Sequence, residues 1–97
     1  MRIAEVIGSV TLSRVHPSLV GGRWLIAVPF SLKALRDNGG PDGEDLVMYD
    51  DLGAGVGARV GFSEGTEAAA PFLPKKAPVD AYCACILDTI TIGERGA

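Results

Sequence analysis

The 97-residue chain has the length of one domain, enough to bury about 60–65% of the surface its unfolded form exposes and too little for two cores. Its 12 acidic residues outnumber 9 basic ones, of which only Lys75 and Lys76 are adjacent, so it lacks the basic stripe that nucleic acid or an anionic membrane requires. A hydrophobic fraction of 47% is high for so small a domain and points to apolar surface shared with another chain.

The opening Met1-Arg2-Ile3-Ala4-Glu5 carries a glutamate and no apolar core of the signal-peptide kind. No apolar run approaches the roughly 20 residues needed to span a bilayer. A soluble protein without a membrane partner is expected. From Arg2 to Arg14 the even positions include Ala4, Val6, Val10 and Leu12 and the odd ones Glu5, Ser9, Thr11 and Ser13, which predicts a long half-buried strand. Gly8 in its middle predicts a bend or bulge. A loop over His16-Pro17-Ser18 closes at Gly21-Gly22. Arg23 to Phe30 reads as a second strand, apolar on both sides, with Trp24, Ile26, Val28 and Phe30 opposite Leu25 and Ala27.

Ser31 to Arg36 is too short to assign, and Asp37 to Glu44 is an exposed loop by its Gly, Pro and Asx chemistry. Leu46 to Tyr49 forms a third strand running into Asp50, and a fourth surrounds Val60 to Phe62. One or two helical turns are expected near Ser63 to Ala70, stopped by Pro71, followed by a loop over Phe72 to Pro78. The last strand, Val79 to Ile92, is apolar on both faces: Ala81, Cys83, Cys85 and Leu87 on one, Tyr82, Ala84, Ile86 and Ile90 on the other. A barrel core covers one such face, so the other needs a second chain. Five strands and one short helix predict an all-β fold, a small closed barrel of the oligonucleotide-binding type.

Between the third and fourth strands lies the most specialised stretch, Leu52-Gly53-Ala54-Gly55-Val56-Gly57-Ala58. Glycine at alternate positions lets the backbone turn tightly or approach a ligand or another copy of itself. Gly53-x-Gly55-x-x-Ala58 fits a loose dinucleotide fingerprint, but strand periodicity follows it where a helix is needed, and Lys75-Lys76 stand where a ribose-binding acid belongs. No Gly-Lys-Ser/Thr follows for a P-loop. No cofactor is expected.

Other constellations favour structural readings. His16, the only histidine, is read as a solvent-facing loop residue. Cys83 and Cys85, two apart on a strand, have Cβ atoms about 6–7 Å apart, beyond disulfide reach, and read as reduced core thiols suited to a cytoplasm. Cys-Ala-Cys with one distant histidine does not supply a zinc site. Asp50 and Asp51 point to opposite faces and read as a solvated strand end. Asp80 and Asp88 read as strand-edge or inter-subunit contacts. No metal site or catalytic residue is expected, and the aromatics lack the interleaved Lys or Arg of a nucleic-acid platform.

Taken in order, Ile7-Gly8-Ser9-Val10, Leu25-Ile26-Ala27-Val28-Pro29, Asp45-Leu46-Val47-Met48-Tyr49-Asp50 running into Gly53-Ala54-Gly55-Val56-Gly57, and Pro78-Val79-Asp80-Ala81 with Ile86-Leu87-Asp88 resemble the bacterial microcompartment vertex proteins, the EutN/CcmL family, across almost the whole chain. The resemblance implies an OB-like barrel that assembles into a cyclic homopentamer. Such pentamers cap the vertices of a cytoplasmic polyhedral shell, beside hexagonal shell proteins, and have no enzymatic activity of their own. It implies that Gly53, Ala54, Gly55, Val56 and Gly57 line the five-fold axis. Tyr82, Ala84 and Ile86, on the doubly apolar strand, are the expected subunit interface. Residues 1–92 form the expected domain, and 93–97, matching nothing, a mobile tail. Ala58 stands where the family usually has glutamate. A nucleic-acid-binding barrel is the alternative function.

Overall fold

A computed structural model describes residues 1–10, 17, 22–65, 68 and 80–93. Five strands, β1 (Arg2–Val10), β2 (Arg23–Pro29), β3 (Leu46–Asp50), β4 (Arg59–Glu64) and β5 (Ala81–Ile86), close into a barrel in the order β1-β2-β3-β5-β4. Neighbours pair antiparallel except β3 and β5, which meet in parallel at Tyr49 and Tyr82. The expected five-stranded barrel is therefore observed.

Alternation decides what fills it. Ala4 and Val6 of β1, Leu25 and Ala27 of β2, Met48 of β3, Val60 and Phe62 of β4, and Ala81 and Cys83 of β5 point inward and form one buried cluster, with Leu46 and Ala58 against its edge. Periodicity left open which apolar side of β2 faces the core. It is the Leu25 and Ala27 side, while Trp24, Ile26 and Val28 are half-buried outside. Two bulges bend the sheet into closure, since an extra residue on one strand increases local twist. In β1 the register slips between Val6 and Gly8, leaving Ile7 without a partner on β2, where the glycine predicted it. In β5 the slip falls at Ala84, because Phe62 pairs with Cys83 and Gly61 with Cys85.

Three elements differ from the sequence reading. β5 ends at Ile86, so the strand expected over Val79 to Ile92 is about half as long, and Val79 lies outside the described residues. The short segment after β2 is a helical turn, α1 (Leu32–Arg36), made viable by its cap. Ser31 Oγ accepts the Ala34 N–H at 3.0 Å, and Asp42 fixes Ser31 by accepting its hydroxyl at 2.6 Å and its N–H at 2.8 Å. Of the helix expected near Ser63 to Ala70, Ser63 and Glu64 belong instead to β4, while Ala68 is helical as expected and buried against Tyr49; the remaining positions from 66 to 70 lie outside the described residues. So do the β1 extension past Val10, His16, the loop over Phe72 to Pro78, and the tail from Glu94.

Outside the barrel a second cluster covers part of β3 and β5. Tyr49 is buried, with Trp24 edge-on at 5.5 Å and Tyr82 stacked at 5.9 Å. Gly22 is required here, because a Cβ would lie 2.0 Å from Tyr49 Cζ.

Candidate functional site: the glycine loop

The loop from Asp50 to Ala58 is organised by a residue that its sequence neighbours disguise. Asp50 ends β3 on the inward-facing register and is fully buried. Its Oδ1 accepts the Leu52 N–H at 3.0 Å, and its Oδ2 accepts the N–H groups of Gly53 and Ala54, each at 3.0 Å. This corrects the reading of Asp50 as a solvated strand end. A buried carboxylate persists only where hydrogen bonds replace its hydration, and three converging N–H groups do so. Asp51 does face outward, and its carboxylate accepts the Tyr82 hydroxyl at 3.2 Å to each oxygen. Burial, reinforced by the Asp51 charge, raises the Tyr82 pKa. Burial, followed by the neighbouring Asp50 charge, pushes the Cys83 thiol up to about 12. Cys83 is thus an inert, protonated core thiol, and both cysteines are free.

The second half of the loop is fixed by turn geometry. The Ala58 N–H bonds to the Gly55 carbonyl at 3.0 Å, with Gly57 at φ +89° in the third position, the arrangement of a type II turn. The turn is tied to β1, Gly57 N–H donating to the Val6 carbonyl at 2.8 Å and Val6 N–H to that of Ala58 at 2.9 Å. On the outer side Arg23 Nη1 donates to the Ala54 carbonyl at 3.3 Å. The loop therefore leaves the barrel as a rigid projection.

The five residues expected at the axis do not share one environment. Gly53, Gly55, Val56 and Gly57 are exposed, Val56 at 74%, whereas the Ala54 methyl packs into the barrel core at 1%. Any axial role left to Ala54 belongs to its backbone. Residues 52–58 are themselves uncharged, and the nearby charge is the Arg23 guanidinium on the Ala54 carbonyl. Of the expected interface residues, Tyr82 is half-buried on Tyr49, while Ala84 is exposed and Ile86 is 45% exposed. Part of the cover expected from another chain is supplied within this one.

The arrangement answers the nucleotide reading chemically. The N–H groups that would cradle a phosphate already bond to Asp50, and the segment after the loop is β4, not a helix. Among the described residues no group of three His, Cys, Asp or Glu could hold a metal. The described aromatics give no exposed stacking platform: Phe30, Tyr49 and Phe62 are buried, and Trp24 and Tyr82 pack on Tyr49. Sequence reasoning missed Asp50 and Gly22. An Asp directly before a glycine run is an available signal for the first, since Asx carboxylates bond backbone N–H groups two and more residues on. Nothing local marks the second, whose requirement is a ring 27 positions later.

The sequence matches the family model described as ethanolamine utilisation protein EutN/carboxysome over residues 1–88. It is 35% identical over 95 residues to the carboxysome shell vertex protein CcmL of Gloeobacter violaceus, covering 98% of this chain and 90% of the relative. The barrel superposes on the crystal structure of the ethanolamine utilization protein EutN from Escherichia coli with a TM-score of 0.80 at 28% identity, covering 96% of this chain and 90% of that one. It also superposes on the GrpN pentameric microcompartment shell protein from Rhodospirillum rubrum with a TM-score of 0.78 at 29% identity, covering 96% and 100%. On its sequence and its barrel alike, the chain belongs to the EutN/CcmL family.

Proposed function

We propose that this chain is a structural shell component, five copies of which close into a ring at the vertices of a bacterial microcompartment in the cytoplasm. A flat sheet of hexagonal tiles cannot close, and five-fold units supply the missing curvature. Hexagonal shell proteins are then the ring's neighbours. The domain spans residues 1–92, with 93–97 as a tail. Gly53 to Gly57 line the axis, through side chain or backbone, and Tyr82, Ala84 and Ile86 lie where subunits meet. The relatives' names are those of shell vertex proteins, not enzymes.

The observation that carries this reading is Gly55. Its φ lies outside the left-handed region, and a Cβ there would meet nothing within 4 Å. Nothing inside the subunit calls for glycine at that position, which supports a close approach to something outside. An exposed, rigid, uncharged loop tip meeting copies of itself supplies that something. Gly57 differs, because its positive φ is demanded by the turn itself. The two are therefore separable by substitution. Gly55→Leu should leave the thermal melt of the subunit within about 0.5 kcal/mol of wild type while preventing ring closure in sedimentation. Gly57→Ala should cost the subunit about 1–2 kcal/mol. Rings that form normally with Gly55→Leu contradict a crowded axis.

A further inference from the structure

The barrel leaves two backbone edges unpaired among the described residues. The first is the outer half of β1. On its β4 side the register ends at Glu5 opposite Arg59, and the last bonds are those between Val6 and the Gly57-Ala58 turn. Among the described residues Ile7 to Val10 pair with β2 alone. The second edge is the segment leaving β5. Leu87 N–H donates to the Arg59 carbonyl at 2.8 Å, and beyond it residues 88–93 make no backbone hydrogen bond among the described residues. This segment nevertheless has strand chemistry. Thr89 and Thr91 are exposed, Ile90 and Ile92 are half-buried, and the two isoleucines line a cleft with Phe30, Ala34 and Arg59.

Among the described residues no backbone hydrogen bond joins the two edges within one chain. Phe30 N–H bonds to the Ile3 carbonyl, so the cleft that holds Ile90 and Ile92 sits at the Ile3 end of β1. Ser9 lies six residues further along, roughly 20 Å at strand rise. Two different edges on the same subunit are the elements of a head-to-tail contact, the kind that closes into a ring when its rotation closes. We propose that residues 88–93 of one copy add as a strand to the Ile7–Val10 edge of the next, beside that copy's glycine loop. The partner is thus a second copy of this chain, joined through backbone hydrogen bonds of the β-augmentation kind. This deepens the ring reading and rests on it. Most of the arm lies beyond residue 88, where the family match ends.

Thr91→Pro removes a backbone donor but keeps the extended conformation, and it lies outside the barrel. Sedimentation of wild type and variant across a concentration series is the first measurement. The wild type should form rings, and the variant should fall apart at roughly tenfold higher concentration or more while its barrel melts as before. Disulfide trapping is the second. Ser9→Cys paired with Thr89→Cys or Thr91→Cys should give a covalent ladder of copies on oxidation, absent from each single variant, because facing strand residues come within disulfide reach. If wild-type rings form, Thr91→Pro leaves them unchanged and no ladder appears, the arm contact is refuted and the ring survives. If the wild type itself stays monomeric, the ring reading fails and the arm with it.

Discussion

Asp50 shows how one side chain can fix a loop. Its carboxylate takes three N–H groups that would otherwise be left partly unsatisfied as the chain turns out of β3, and it is fully buried among them. Asp50→Ala should therefore destabilise the subunit by about 3 kcal/mol, as a shift in urea midpoint, because the Ala54 N–H is left in the core without a partner. Cys83 makes a pH prediction. Its pKa rises from 9.0 to about 12 on folding, so the folded protein holds the thiol proton more tightly than the unfolded chain. The stabilisation is complete below about 9 and declines as pH rises from about 9 toward 12, by up to about 1.4 kcal/mol per unit. Urea midpoints between pH 8 and 10 should fall for the wild type and be flatter for Cys83→Ala; equal slopes would contradict the shift. The inertness of Cys83 was legible from its apolar neighbours. The burial of Asp50 was not, because its position at a strand end beside Asp51 and glycine has the composition of a solvated turn.

At the scale of elements, alternation identified the five strands but not their ends. β5 stops at Ile86 although period-two apolar character continues to Ile92, because pairing to β4 ends where Val60 meets Ile86. The same continuation gives the arm its strand chemistry. α1 illustrates the converse, a segment too short for periodicity and set by a Ser31-Asp42 contact that spans 11 positions. The doubly apolar reading of β5 is resolved into two parts: Tyr82 is covered by Tyr49 within the chain, and Ile86 is left 45% exposed. Ile86→Glu should thus leave the subunit's stability within about 0.5 kcal/mol and weaken assembly by about 2 kcal/mol or more, read from dissociation on dilution. Unchanged assembly would remove Ile86 from the interface.

For the whole molecule, closure matters more than any element. The strand order β1-β2-β3-β5-β4 brings the loop after β3 against β1, and two bulges provide the curvature that lets five short strands meet. The number of strands, the Gly8 bulge and the exceptional character of the glycine loop were all readable in the chain, because each follows from local periodicity or from glycine chemistry, whereas the order of the strands around the barrel was not. The contacts of Gly22 with Tyr49 and of Val6 with the loop were not, since they depend on barrel closure. What closure leaves over among the described residues is a projecting loop, an exposed Ile86 and two open edges. Native mass measurement of the wild-type protein over a wide concentration range tests the assembly most directly. The account predicts a particle of about 50 kDa, five times the 10.1 kDa chain. A chain that stays single at the highest concentration, or pairs into an even-numbered assembly, would contradict it.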